Sequence, residues 1–179
     1  MTENTLPKLL KKNAEKYGDR RIAMRVKDRG IWQRFTWKDY YEKVKYFSLG
    51  LISLGMSRGD KVSILGENKP EIFWAELGVQ AAGGTMVGIF TDCTPPEVKF
   101  YVTDSDSTFV IVHDQEQVDK LLQIKGDLPL VKKVIYWDSK GLWNYEDPIL
   151  INFSKVIQLG QEYEKSHPAL FEKSIDNGK

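Results

Sequence analysis

From Lys61 to Trp137, apolar segments of strand length and of helix length alternate at short spacing, and this alternation restricts the chain to a mainly parallel sheet with helical crossovers. Lys61 to Gly66 reads as a strand, Pro70 to Ala82 as a helix with proline in its first turn, and Thr85 to Phe90 as the next strand. Pro96 to Thr103 follows as a short helix, Thr108 to His113 as a strand, Asp114 to Ile124 as a helix capped by its aspartate, and Val131 to Trp137 as a fourth strand. Such connections favour right-handed crossovers between parallel strands. The runs Met86-Val87-Gly88-Ile89-Phe90 and Phe109-Val110-Ile111-Val112 are apolar without alternation, as expected of strands covered on both faces. The stretch Leu77 to Val102 holds the pattern in one piece: a helix end, Gly83-Gly84, a strand, the polar loop Thr91 to Thr94, and a helix opened by Pro95-Pro96. Open α/β sheets keep their ligands in such loops, at the carboxyl ends of strands.

The beginning of the chain follows a different pattern. Leu6, Leu9, Leu10, Ala14 and Tyr17 share a helical face that Gly18 ends. Ile22 to Val26 and Ile31 to Phe35 are β-prone runs around Lys27-Asp28-Arg29-Gly30, the composition of an antiparallel hairpin. Thr36, with Asp39 three residues on, caps a helix from Trp37 to Leu54 whose stripe is Tyr40, Val44, Phe47, Leu51 and Leu54. Beyond Trp137 the periodicity weakens. Asp138 to Pro148 reads as a polar and aromatic loop, Ile149 to Phe153 as a short apolar run, and Ser154 to Lys165 as a last helix. Residues 1–165 are therefore expected to fold as one unit, with 166–179, which contain Pro168 and close on DNGK, as linker.

Charge separates several function classes. With 26 Lys plus Arg against 25 Asp plus Glu there is no electrostatic footprint for nucleic acid. A single cysteine, Cys93, excludes an internal disulfide and points to a reducing, cytoplasmic setting. The first residues lack the apolar core of a secretory signal, and no run approaches the roughly 20 apolar residues of a membrane span.

Motifs of common chemistries are largely missing. Neither G-x-x-x-x-G-K-[ST] nor G-x-G-x-x-G occurs. Gly55-Met56-Ser57-Arg58-Gly59 matches G-x-S-x-G, but a nucleophile needs a strand before it and a helix after it, and the order here is reversed. His113 and His167 have no further ligands at metal-binding spacing, so no metal site is expected. Asp104 and Asp106 read as a polar turn, and Cys93 has an acid beside it where a reactive thiolate needs a cation. No catalytic residue is assigned. Asn152-Phe153-Ser154 is a glycosylation pattern, void in the cytoplasm.

Residues 35 to 113 nevertheless resemble a known family. Phe35-Thr36-Trp37-Lys38-Asp39-Tyr40, then GDKVSILGENKPE, then QAAGGTMVGIFT with PPE, are similar in order and spacing to the amino-terminal boxes of the AMP-forming, adenylate-forming enzymes, most of all the long-chain fatty-acid CoA ligases. The resemblance implies that the α/β unit is part of a larger enzyme domain. It implies a parent ligase that joins a carboxylic acid to ATP, with Mg2+, and passes the acyl group to coenzyme A. The family's phosphate loop, ribose-binding aspartate and carboxyl-terminal lysine have no matching positions here, so the segment by itself is expected to be inactive. Residues 166–179 would lead toward that phosphate loop. By position, the loop Thr91, Asp92, Cys93 and Thr94 faces the coenzyme A path; acetate-type relatives have glycines there. Fatty acid, ATP, coenzyme A and the remainder of the ligase chain are the implied partners, and peripheral contact with a membrane stays open although no basic amphipathic helix is present. Two other readings stand beside this one: a module that holds a small ligand at the strand ends near Thr91 and His113, and an interaction domain with an exposed apolar face.

Overall fold

The computed structural model describes residues 5–178. Along its central strands the side chains alternate between two apolar faces, so the sheet must be covered on both sides. The strands are β3 (Lys61–Leu65), β4 (Thr85–Ile89), β5 (Ser107–Val112), β6 (Lys133–Tyr136) and β7 (Leu150–Asn152), all parallel, in the order β4-β3-β5-β6-β7. Val62, Ile64, Phe109, Ile111 and Ile135 face one helical layer, made by α1 (Leu6–Tyr17), α2 (Trp37–Ser53), α3 (Pro70–Ala81), α6 (Phe153–Ser166) and α7 (Leu170–Asp176). Leu65, Val110, Val112 and Val134 face the other, made by α4 (Pro95–Asp104) and α5 (Gln115–Ile124). The result is an α/β fold with a parallel sheet between two helical layers.

A small antiparallel hairpin precedes the sheet. β1 (Ile22–Asp28) and β2 (Ile31–Thr36) pair through Asp28 opposite Ile31, which leaves Arg29 and Gly30 as a two-residue turn, both at positive φ. Such a turn matches the twist of its strands. The cap expected at Thr36 is present in both directions: the Asp39 N–H donates to Thr36 Oγ1 at 3.1 Å and the Thr36 N–H donates to Asp39 Oδ2 at 2.8 Å.

Two sequence expectations change and one is refined. β4 meets an apolar core on each face, through Met86 on one and Ile89 on the other, but it is an edge strand with Thr85 and Gly88 exposed, because the chain steps outward through α3 and then returns past β3 to β5. An apolar run does not by itself distinguish an edge from a centre. The short run after Ile149 is a fifth strand of the sheet, three residues long, below the length at which periodicity is visible. The segment read as linker contains α7, whose Phe171 and Ile175 are buried in the core. Their spacing is helical, but Pro168 and the closing DNGK dominate the composition.

α7 is fastened to the rest of its layer by side chains. The Phe171 ring meets Tyr41 edge-on at 5.6 Å, Ser174 Oγ donates to the Ala81 carbonyl at 2.5 Å, and Arg58 donates to the Ser174 carbonyl at 3.2 Å. Glu172 accepts from the Tyr41 hydroxyl and pairs with Lys11. Burial pushes the Glu172 carboxyl up, but the hydrogen bonds from Lys11 and Tyr41 outweigh it and hold the group below its ordinary value of 4.5.

The same layer depends on how closely α6 approaches α2. A methyl group at Gly160 would lie 1.8 Å from the Tyr46 carbonyl oxygen, and one at Gly50 would lie 2.1 Å from the Val156 carbonyl oxygen. The two backbones touch, and the rings of Phe47 and Phe153 stack beside them at 4.2 Å.

Gly160→Ala is expected to destabilise the chain by about 1–3 kcal/mol or more, because its clash is with main chain, which yields less than a side chain; a thermal melt reads this directly. For Glu172 the folded value is depressed, so its contribution is present above the unfolded value and is lost as pH falls through the folded one. Stability should therefore decline as pH drops below 4.5, with a smaller decline in Glu172→Gln, as measured by urea midpoints at stepped pH.

Candidate functional site

In a parallel sheet all strands end on the same side, and the loops there are the natural place for a ligand. In this fold they are Gly66–Lys69 after β3, Phe90–Thr94 after β4, His113–Asp114 after β5 and Trp137–Asp138 after β6. The strand order places the topological switch between β3 and β5, since the chain leaves β3 toward β4 and returns on the other side.

The loop after β4 is held along its length. Phe90 projects outward, 85% exposed. The Cys93 N–H donates to the Phe90 carbonyl at 3.2 Å, closing a turn, and the Cys93 side chain is half-buried against the core of the α4 and α5 layer. Thr94 then caps α4. Its N–H and its hydroxyl both donate to Glu97 Oε2, at 2.8 and 2.7 Å, and these bonds hold the Glu97 carboxyl below its usual range. On the amino-terminal side, Lys120 from α5 donates to the Thr91 carbonyl at 2.7 Å and pairs with Glu116 at 3.0 Å. Asp92 and Thr94 are exposed, while Thr91 and Cys93 are half-buried.

A separate crevice of about 320 Å³ lies at the switch point. Lys69 and Pro70 at the start of α3, His113, Trp137 and Asp138 at the strand ends, and Phe35 from the hairpin contribute to its wall. His113 and Trp137 stack at 5.0 Å, and Gly66 makes room for them: a methyl group there would meet the Trp137 ring at 2.1 Å. The Trp137 N–H donates to the Val112 carbonyl and the Asp138 N–H to the His113 carbonyl, so the two loops are joined through main chain. Thr91 to Thr94 does not line this crevice. The strand β3 separates the two places, so Thr91 and His113 do not form one pocket.

Other residues considered from the sequence lie elsewhere. Gly55 to Gly59 is the turn between α2 and β3, and Asp104 to Asp106 the turn between α4 and β5, both at the amino ends of strands. Asp106 takes a positive φ of 52°, suited to a short polar residue in a turn. His167 ends α6 and stacks on Tyr163 at 4.1 Å. Asn152 caps α6 by accepting from the Ser154 N–H at 2.8 Å. Among the described residues no group of three or more His, Cys, Asp or Glu side chains is placed to hold a metal ion, and no helix is long and apolar enough to cross a membrane. Lys120 and Trp137 were not anticipated. Lys120 lies 29 residues from Thr91, so only the packing of α5 against the loop brings a cation to it.

Comparison with known proteins supplies a context for this geometry. The family model described as AMP-binding enzyme matches residues 10–168. A long-chain-fatty-acid CoA ligase of Xenopus laevis is 32% identical over 162 residues, covering 90% of this chain and 22% of its own length. One from Rattus norvegicus is 32% identical over 151 residues, covering 83% of this chain and 20% of its own. The chain thus spans about a fifth of these relatives. An anthranilate CoA ligase solved in complex with anthranoyl-AMP has the same fold over 85% of this chain and 26% of its own, with a TM-score of 0.71 at 22% identity.

The crevice depends on the absent side chain at residue 66. Gly66→Ala is expected to displace Trp137 from His113 and to cost about 1–3 kcal/mol. The near-ultraviolet circular dichroism of the tryptophans should change, and Trp137→Phe should remove most of that difference.

Proposed function

The chain belongs to the AMP-binding enzyme family, and from that membership we propose that it forms the amino-terminal part of a ligase that joins a long-chain fatty acid to coenzyme A through an acyl adenylate. The observation that carries the proposal is the match over residues 10–168, together with the 32% identity to relatives named long-chain-fatty-acid CoA ligases. In the reaction of such a ligase the carboxylate attacks the α-phosphorus of ATP and pyrophosphate leaves. The thiol of coenzyme A then takes the acyl group, with loss of its proton, and AMP leaves.

The part assigned to this segment is to position coenzyme A. Thr91, Asp92, Cys93 and Thr94 are the proposed contact, supported by their place after a parallel strand and by a backbone fixed at both ends by Lys120 and Glu97. A loop already ordered before binding loses little entropy when a ligand arrives. The proposed setting is cytoplasmic.

The crevice at the switch point favours a second reading, in which the unit binds a small ligand by itself at His113 and Trp137. The two readings separate on one experiment. Residues 10–168, exchanged for the matching segment of the Xenopus laevis relative, are expected to give a chimera that forms palmitoyl-CoA from palmitate, ATP and coenzyme A. A chimera that is folded, by circular dichroism and gel filtration, yet makes neither adenylate nor thioester would overturn the ligase reading.

A further inference from the structure

Lys120 carries its charge into a largely covered place between α5 and the loop after β4. Its side chain is only 15% exposed, although an ammonium group loses strong hydration when it leaves water. Two acceptors offset that loss, the Thr91 carbonyl at 2.7 Å and Glu116 one helical turn back at 3.0 Å. Glu116 is largely exposed and is adequate as an i, i+4 partner. The Thr91 carbonyl is different in kind. It belongs to the loop after β4, which has no strand pairing of its own, and the bond from Lys120 crosses from α5 to reach it.

We propose that Lys120 is a positioning residue for the loop Thr91 to Thr94, fixing the backbone at Thr91 so that the loop meets coenzyme A in one conformation. The proposal rests on the assignment of that loop to coenzyme A made above. The carboxyl half of the loop is already clamped by Thr94 and Glu97, and its middle by the half-buried Cys93. Its amino half follows Phe90, which is exposed and packs little. There the charged hydrogen bond from Lys120 acts together with the Cys93 N–H bond to the Phe90 carbonyl in limiting motion. A bond from a charged donor is worth more than a neutral one, and its loss leaves both the carbonyl and Glu116 without their cation.

Lys120→Met keeps most of the apolar stem and removes the donor. In the 179-residue chain, amide hydrogen exchange at Cys93, whose N–H closes the turn over Thr91, is expected to rise roughly tenfold or more in Lys120→Met, with Thr94, held by Glu97, and Ile64 and Ile111 in the sheet unchanged and Lys120→Arg close to wild type. Equal exchange in wild type and Lys120→Met, or acceleration spread evenly over loop and sheet, overturns the proposal. In the chimera described above, Lys120→Met should raise the KM for coenzyme A and leave pyrophosphate exchange, which reports adenylate formation, at the wild-type rate. If the loop amides respond while the KM does not, the anchor stands and it is the assignment of the loop to coenzyme A that falls.

Discussion

The helical layer over the first face of the sheet depends on two backbones lying in contact. Where α2 crosses α6, Gly50 and Gly160 present no side chain, and the carbonyl oxygens of Val156 and Tyr46 occupy the space a methyl group would need. Close packing of this kind is rigid, since no rotamer change relieves it. It brings Phe153 onto Phe47 and seats Val156 in the core, so that the last strand and helix join a layer begun more than a hundred residues earlier. α7 then closes the same layer through Phe171 and Ile175.

This packing also bears on the site. α2 and α3 pack against each other on the first face, while α4 and α5 pack against each other on the second. The loops at the carboxyl ends of the strands are thereby held from both sides, with α3 starting at the crevice and α5 reaching across to the loop after β4. The two candidate places differ in character. The crevice is a concavity with an aromatic stack and charged groups on its wall, suited to enclosing a small molecule. The loop after β4 is held by hydrogen bonds at both ends and lies at the edge of the sheet, with Asp92 and Thr94 exposed.

A good deal of this was legible in the residues. The alternation from Lys61 onward gave the parallel sheet and its helices nearly to the residue, and the Thr36 and Asp114 caps, the hairpin turn and the glycine stop after α3 stood where turn and cap chemistry placed them. The boxes between Phe35 and His113 pointed to the family that the comparison found over residues 10–168. β7 and α7 were harder, because three residues and seven residues are too short for a period to show. The role of β4 as an edge was hidden for another reason: apolar composition records burial, while strand order depends on the path of the crossovers.

The sequence by itself determined most of the elements and their order, because propensity, capping and hydrophobic period act over a few residues and are written locally, and its motif boxes carried the resemblance to the family. Only the tertiary structure decided which of those elements meet. Lys120 reaching Thr91, Trp137 lying over Gly66 and Glu172 pairing with Lys11 are contacts between residues far apart in the chain. Each depends on the relative position of two packed helices or strands, and no local pattern encodes that position.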